Sequence, residues 1–211
     1  MKLILILVLL GFSAASYADT NPDKPTVLVV GDSISAAYGL NEADGWVRLA
    51  EKELQQSYPD IELINASISG DTTEGALRRL PAALDRFDPT VLIIELGGND
   101  GLRGYSLKKL RENLETLTRM GQQAGAEVLL LGMQIPSNYG PAYTEKFAKT
   151  FVDAANATNA ALVPFFLEPI ALDTGFFLPD GIHPNAEAQP LLLPPVLEQL
   201  QLLLKKVVPT Q

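Results

Sequence analysis

Five short apolar runs recur along this chain, separated by longer amphipathic stretches. The runs are Thr26–Val30, Ile61–Ala66, Thr90–Leu96, Glu127–Met133 and Ala161–Val163. Most are continuous rather than alternating, the pattern of a strand buried on both faces. Trp46–Gln56, Thr72–Phe87, Leu107–Gln123, Tyr143–Thr158 and Pro190–Val207 carry helical spacing. In the third of these, Leu107, Leu110, Leu114 and Leu117 fall on one face. Strands alternating with helices predict a parallel sheet of five strands covered by helices on both sides. Pro81 should break or kink the second helix, because proline removes an N–H and crowds the preceding turn. Pro194 and Pro195 fall near the start of the last helix, where proline is tolerated.

The chain has 211 residues, 47% apolar and 19% charged, which suits one globular domain with a substantial core. Its first eighteen residues have a separate character. Lys2 precedes an apolar stretch from Leu3 to Phe12, and Ser16-Tyr-Ala18 ends in the small-x-small pattern of a signal-peptidase site. The stretch is too short to span a bilayer comfortably. The expected organisation is a signal peptide at 1–18, a polar proline-containing spacer at 19–25 and a single domain at 26–211, exported to the periplasm or the exterior without stable membrane insertion. The formal charge of −9 argues against nucleic-acid binding and against electrostatic docking on anionic membranes. The sequence has no cysteine, so it offers neither disulfides nor thiol nucleophiles, and its one histidine makes a zinc site a poor proposal.

In an open parallel sheet the functional crevice lies beyond the carboxyl ends of the strands, where strand order reverses. Three polar turns follow predicted strands at that end: Gly31-Asp-Ser33, Ser69-Gly-Asp-Thr72 and Gly97-Gly-Asn-Asp100. Ser33 alone reads equally well as a helix N-cap or a turn residue. A serine hydroxyl is a useful nucleophile only beside a base, and His183 is the one histidine this chain has to offer. Asp180 lies three residues before it, separated by Gly181, which allows a tight turn, while Pro184 restricts His183 to extended backbone. Ser33, His183 and Asp180 therefore form a candidate triad. The backbone N–H groups of Ser33 and Gly70 and the side-chain amide of Asn99 are candidate oxyanion donors. The bland alternatives are a hydrogen-bonded loop pair at Asp180 and His183 and a type I′ or II turn at Gly97–Asp100. Asp32, Asp71 and Asp100 read best as residues that fix loop geometry.

In order, these blocks resemble the SGNH (GDSL) hydrolases, whose marks are Ser in Gly31-Asp-Ser33, Gly70 in Ser69-Gly-Asp71, Asn99 in Gly97-Gly-Asn-Asp100 and His183 in Asp180-Gly-Ile-His183. The match is nearest to the bacterial periplasmic branch of thioesterase I, lysophospholipase and arylesterase. It is supported by Leu96–Gly104, Ile135–Gly140 and Phe177–Pro184. The resemblance implies a flavodoxin-like three-layer α/β/α sandwich and a serine esterase and thioesterase acting on acyl esters, acyl-thioesters and lysophospholipids without metal or cofactor. It also implies an acyl groove bordered by Leu102, Tyr105, Asn138, Tyr139, Ala142 and Tyr143, and a monomer whose partner is a small-molecule substrate. Two other readings stand beside it. One is a carbohydrate acetylesterase of the same fold, and the other is a non-catalytic periplasmic binding protein.

Overall fold

A computed structural model of the chain describes residues 24–207. The expected signal peptide, most of the spacer and the last four residues lie outside the described residues. The strands are β1 (Thr26–Gly31), β2 (Glu62–Asn65), β3 (Val91–Glu95), β4 (Glu127–Leu131) and β5 (Ala161–Val163). They form one sheet in the order β2-β1-β3-β4-β5, and every neighbouring pair is parallel. β1 and β3, the central pair, are almost wholly buried, which is why their apolar runs are unbroken.

Helices cover both faces. α1 (Trp46–Leu54) and α6 (Leu193–Val207) pack against each other on one side, while α2 (Thr73–Phe87), α4 (Leu107–Gln123) and α5 (Pro141–Thr158) pack side by side on the other. Each helix turns one stripe inward: α1 buries Trp46, Val47, Ala50 and Leu54, and α4 buries Leu110, Leu114 and Leu117. The three layers and the five parallel strands expected from the sequence are both present.

Three elements differ from the sequence reading. α2 is unbroken through Pro81, with Thr72 capping its start by accepting from the N–H of Gly75. Pro81 is exposed while Leu80 and Leu84 face the core, so the ring sits on the outer side of the helix, and its missing N–H costs α2 one backbone hydrogen bond without ending it. The last helix begins at Leu193, not Pro190, after a 3-10 turn at Gln189–Leu192. The Gly97–Asp100 segment is no simple turn. Gly97, at φ 109°, is the cap of a short helix α3 (Gly98–Leu102). Glycine and asparagine suggested a turn because both are poor helix formers, but packing decided otherwise.

The sheet order reverses at β1, whose neighbours are β2 and β3. Loops leaving β1 and β3 diverge there and open a crevice at the carboxyl edge.

Candidate active site

Ser33 lies two residues beyond β1. The chain there coils into tight turns, with the Ala36 N–H donating to Asp32 O at 3.0 Å and the Tyr38 N–H to Ser33 O at 3.0 Å. Beneath the turn lies Glu95, the last residue of β3 and fully buried. Its Oε2 accepts from the backbone N–H of Ser35 at 3.2 Å, from the Ser35 hydroxyl at 2.6 Å and from the Asp32 N–H at 3.3 Å. The indole N–H of Trp46 donates to Ser35 Oγ at 3.2 Å and ties α1 to the same turn.

His183 and Asp180 sit on a loop beyond β5. The Leu178 N–H donates to His183 O at 2.7 Å and the Gly181 N–H to Leu178 O at 2.9 Å, closing a tight loop in which Gly181 takes φ 67°. Gln189 anchors this loop to the core. Its buried amide accepts from the Trp46 N–H at 2.9 Å and donates to Pro184 O at 3.2 Å.

The side chains of the two loops meet. His183 Nε2 lies 2.8 Å from Ser33 Oγ, and His183 Nδ1 lies 2.7 Å from Asp180 Oδ2. The other carboxylate oxygen, Asp180 Oδ1, accepts from the N–H groups of Ile182 at 2.9 Å and His183 at 3.0 Å. The backbone N–H of His183, then its imidazole, then the Ile182 N–H hold the Asp180 carboxyl down to about 2. Asp180 is therefore ionised throughout the neutral range, which orients the ring with Nδ1–H toward the acid and leaves Nε2 to accept from Ser33.

Gly70 at φ 79° follows β2, and its carbonyl accepts from Arg103 at 3.1 Å. Among the described residues, the N–H groups of Ser33 and Gly70 donate to no protein acceptor. Asn99, on the first turn of α3, donates through Nδ2 to Asp32 Oδ2 at 3.0 Å. Asp32 is buried, and that burial pushes its carboxyl up to about 6. The Ile34 N–H, the Asn99 amide and His183 oppose the rise, and Asp100 adds to it. Burial, reinforced by the nearby Asp32, raises Glu95 well above the usual carboxylate range.

At the residues expected to border the acyl groove, tyrosines stitch two loops together. The Tyr139 hydroxyl donates to Leu102 O at 3.1 Å, and the Tyr143 hydroxyl lies 3.3 Å from Gly101 O and 3.4 Å from Tyr105 O. Leu102, Tyr105, Tyr139 and Tyr143 thus come together. Asn138 and Ala142 are exposed on the same segment, and among the described residues neither side chain hydrogen-bonds to the triad. A cavity of about 290 Å3 lies beside Tyr105, lined also by Glu74, Asp100, Ser106, Lys109, Leu110 and Asn113, and it contains none of the triad. Among the described residues, no three or more His, Asp or Glu side chains cluster as metal ligands would.

Residues 29–190 match the family described as GDSL-like lipase/acylhydrolase. The chain belongs to the GDSL-like lipase/acylhydrolase family. Among relatives of this acylhydrolase, the "Esterase TesA" of Pseudomonas aeruginosa is 50% identical over 179 residues, covering 85% of this chain and 89% of the relative. The "Thioesterase 1/protease 1/lysophospholipase L1" of Escherichia coli K12 is 40% identical over 197 residues, covering 93% of this chain and 90% of the relative. The solved structure of a psychrotrophic esterase EstA from Pseudoalteromonas sp., inhibited by monoethylphosphonate, superimposes with a TM-score of 0.81 at 44% identity, covering 86% of this chain and 99% of that one.

Sequence reasoning missed four residues around this acylhydrolase's site. Glu95 lies unremarked inside the apolar run Thr90–Leu96, and Gln189 falls just before the helical stretch that starts at Pro190, with no motif around it. Asp32 was read only as a loop-fixing residue. Tyr38 packs its ring on His183 with centroids 4.4 Å apart and the planes tilted by 36°, yet nothing in its local sequence sets it apart. A buried acid ending a strand of otherwise apolar residues was the one signal available for Glu95.

Proposed function

We propose that this acylhydrolase cleaves acyl esters and acyl-thioesters, lysophospholipids among them, through an acyl-serine intermediate on Ser33. One observation carries the assignment: the unbroken line Ser33 Oγ, His183 Nε2, His183 Nδ1, Asp180 Oδ2, with contacts of 2.8 Å and 2.7 Å. Ser33 Oγ attacks the acyl carbon as His183 Nε2 takes its proton. The resulting imidazolium is stabilised by ionised Asp180. Negative charge develops on the former carbonyl oxygen, where the N–H groups of Ser33 and Gly70 and the Asn99 amide stand as donors. Removing one such donor elsewhere costs about 3 kcal/mol of barrier. As the C–O or C–S bond breaks, His183 returns the proton to the leaving alcohol or thiol. Water then attacks the acyl-Ser33 ester by the same route and restores the free serine.

The tyrosine-stitched segments at 102–105 and 138–143 border the acyl chain, with Leu102, Tyr105, Asn138, Tyr139, Ala142 and Tyr143 as contacts. The leader pattern at 1–18 supports a periplasmic or secreted enzyme, and no helix among the described residues is long and apolar enough to cross a membrane. All three triad residues come from one chain, which supports action as a monomer. The apolar and aromatic character of the bordering segments disfavours a carbohydrate acetylesterase.

The test has two arms. Ser33→Ala should lower kcat by about 10⁴-fold or more while the protein stays folded, and it should abolish labelling by a fluorophosphonate. Retention of a tenth of the activity, or labelling elsewhere, would overturn the assignment. Octanoyl esters should be turned over faster than acetyl esters, and the reverse order would favour the acetylesterase reading.

A further inference from the structure

Among the acidic residues beside the glycine turns, Asp32 differs from the others in what it holds. Its carboxylate is buried between two loops. Oδ1 accepts from the Ile34 N–H at 3.2 Å, and Oδ2 accepts from Asn99 Nδ2 at 3.0 Å. Its own N–H is held by Glu95, through the backbone carbonyl at 3.2 Å and Oε2 at 3.3 Å. The residue is therefore fixed at both its backbone and its carboxylate.

Asparagine has a particular weakness as an oxyanion donor. Its amide is nearly symmetric in shape, and a half-turn about Cβ–Cγ replaces the NH2 group by a carbonyl oxygen. A flipped Asn99 would aim an acceptor at the developing negative charge and repel it. A carboxylate can only accept, so an ionised Asp32 admits one of the two orientations, with Nδ2 toward Oδ2. Nδ2 carries two hydrogens, and the second remains for the substrate oxygen. Asn99 makes no other side-chain hydrogen bond among the described residues, so nothing else selects the flip.

We propose that Asp32 is the positioning residue of the oxyanion site, locking the Asn99 amide in its donating orientation. This rests on the assignment of Asn99 as an oxyanion donor given above.

The role makes an unusual demand on substitution. In Asp32→Asn the new side chain has one acceptor and one donor. The Ile34 N–H claims the acceptor, so the new NH2 faces Asn99 and favours the inverted amide. Asp32→Ala merely frees Asn99 to sample both orientations. The isosteric change should therefore be the more harmful, whereas a purely structural role would make truncation the worse.

The experiment measures kcat and KM on an aryl ester at pH 8, where Asp32 is ionised, for Asp32→Asn, Asp32→Ala, Asn99→Ala and the two double variants. Asn99→Ala should lower kcat about 10²-fold or more, the cost of losing one oxyanion donor. Asp32→Asn should lower kcat at least as far with KM within about threefold. Asp32→Ala should fall between it and the wild type, and either change should add less than about threefold once Asn99 is alanine. If Asn99→Ala is fully active, the oxyanion assignment itself falls. If it is slow but Asp32→Asn is not, or if Asp32→Ala is slower than Asp32→Asn, or if the single effects multiply in the double variants, the positioning role falls. Should Asp32→Asn fail to fold, Asp32→Ala alone and in the Asn99→Ala background decides, since locking requires non-multiplying effects there.

Discussion

Asp180 divides its two carboxylate oxygens between the backbone and the His183 ring, and this division makes its proposed role testable. Oδ1 is claimed by the N–H groups of Ile182 and His183, and Oδ2 faces His183 Nδ1. In Asp180→Asn the backbone donors would keep the new oxygen, leaving the NH2 group against Nδ1. The ring would then carry its proton on Nε2, where it cannot accept from Ser33. We expect kcat to fall about 10⁴-fold, as for the same change in a related triad, with melting little altered. Activity above a tenth of wild type would remove Asp180 from the chemistry. Tyr38 contributes on a smaller scale. Tyr38→Phe should be near neutral, while Tyr38→Ala should slow turnover by up to about tenfold, the range of one aromatic pair, and equal rates for the two would show the ring idle. These residues were not equally legible. Ser33, Asp180 and His183 announced themselves because the chain has a single histidine and the acid stands three residues from it. Tyr38 meets His183, and Gln189 meets the Trp46 N–H, across well over a hundred residues of sequence in each case, which no local pattern records.

At the scale of elements, the short helix α3 carries the greatest burden for its size. It delivers Asn99 to the site, and its seat is the ring of Phe147 on α5, a fully buried side chain. A Cβ on Gly101 would lie 2.4 Å from Phe147 Cε2, inside any tolerable contact. Gly101→Ala must therefore shift α3 or the ring. We expect a loss of about 1–3 kcal/mol in urea unfolding, the usual range for overpacking, together with a lower kcat because Asn99 moves with the helix. Unchanged stability and turnover would show that α3 is not clamped in this way. The loop after β2 is held by a different device. Arg79 of α2 donates to Asp71 Oδ2 at 2.8 Å, to Ala66 O at 2.5 Å and to Gly31 O at 3.3 Å, bracing the segment that presents Gly70. The long elements were legible from apolar periodicity because burial of one face or two dictates it. The exceptions, α3 and the continuous path through Pro81, depend on packing and solvent exposure that intrinsic propensity does not encode.

Over the whole molecule, placing Asp32 and Glu95 beneath the site has a cost that depends on pH. Asp32 is raised to about 6 in the fold by burial, whereas an unfolded aspartate titrates near ~3.9. A group whose folded value is raised gives its full stabilisation below the unfolded value and loses it as pH rises through the folded one. Stability should therefore decline between about pH 4 and about pH 6 on account of Asp32, and Glu95, also raised by burial, acts with the same sign. Asp180 runs the other way. Its folded value of about 2 gives stability that is present above ~3.9 and lost only as pH falls toward 2, outside this window. Two units at 1.36 kcal/mol each put the Asp32 effect at up to roughly 3 kcal/mol. Asp32→Asn removes that titration. Urea unfolding of wild type and Asp32→Asn at pH 4 and pH 7 should show the wild type losing about 1–3 kcal/mol more than the variant between the two. Parallel losses would mean that Asp32 is not held with a raised proton affinity, and that the fold carries its buried charge by some other arrangement.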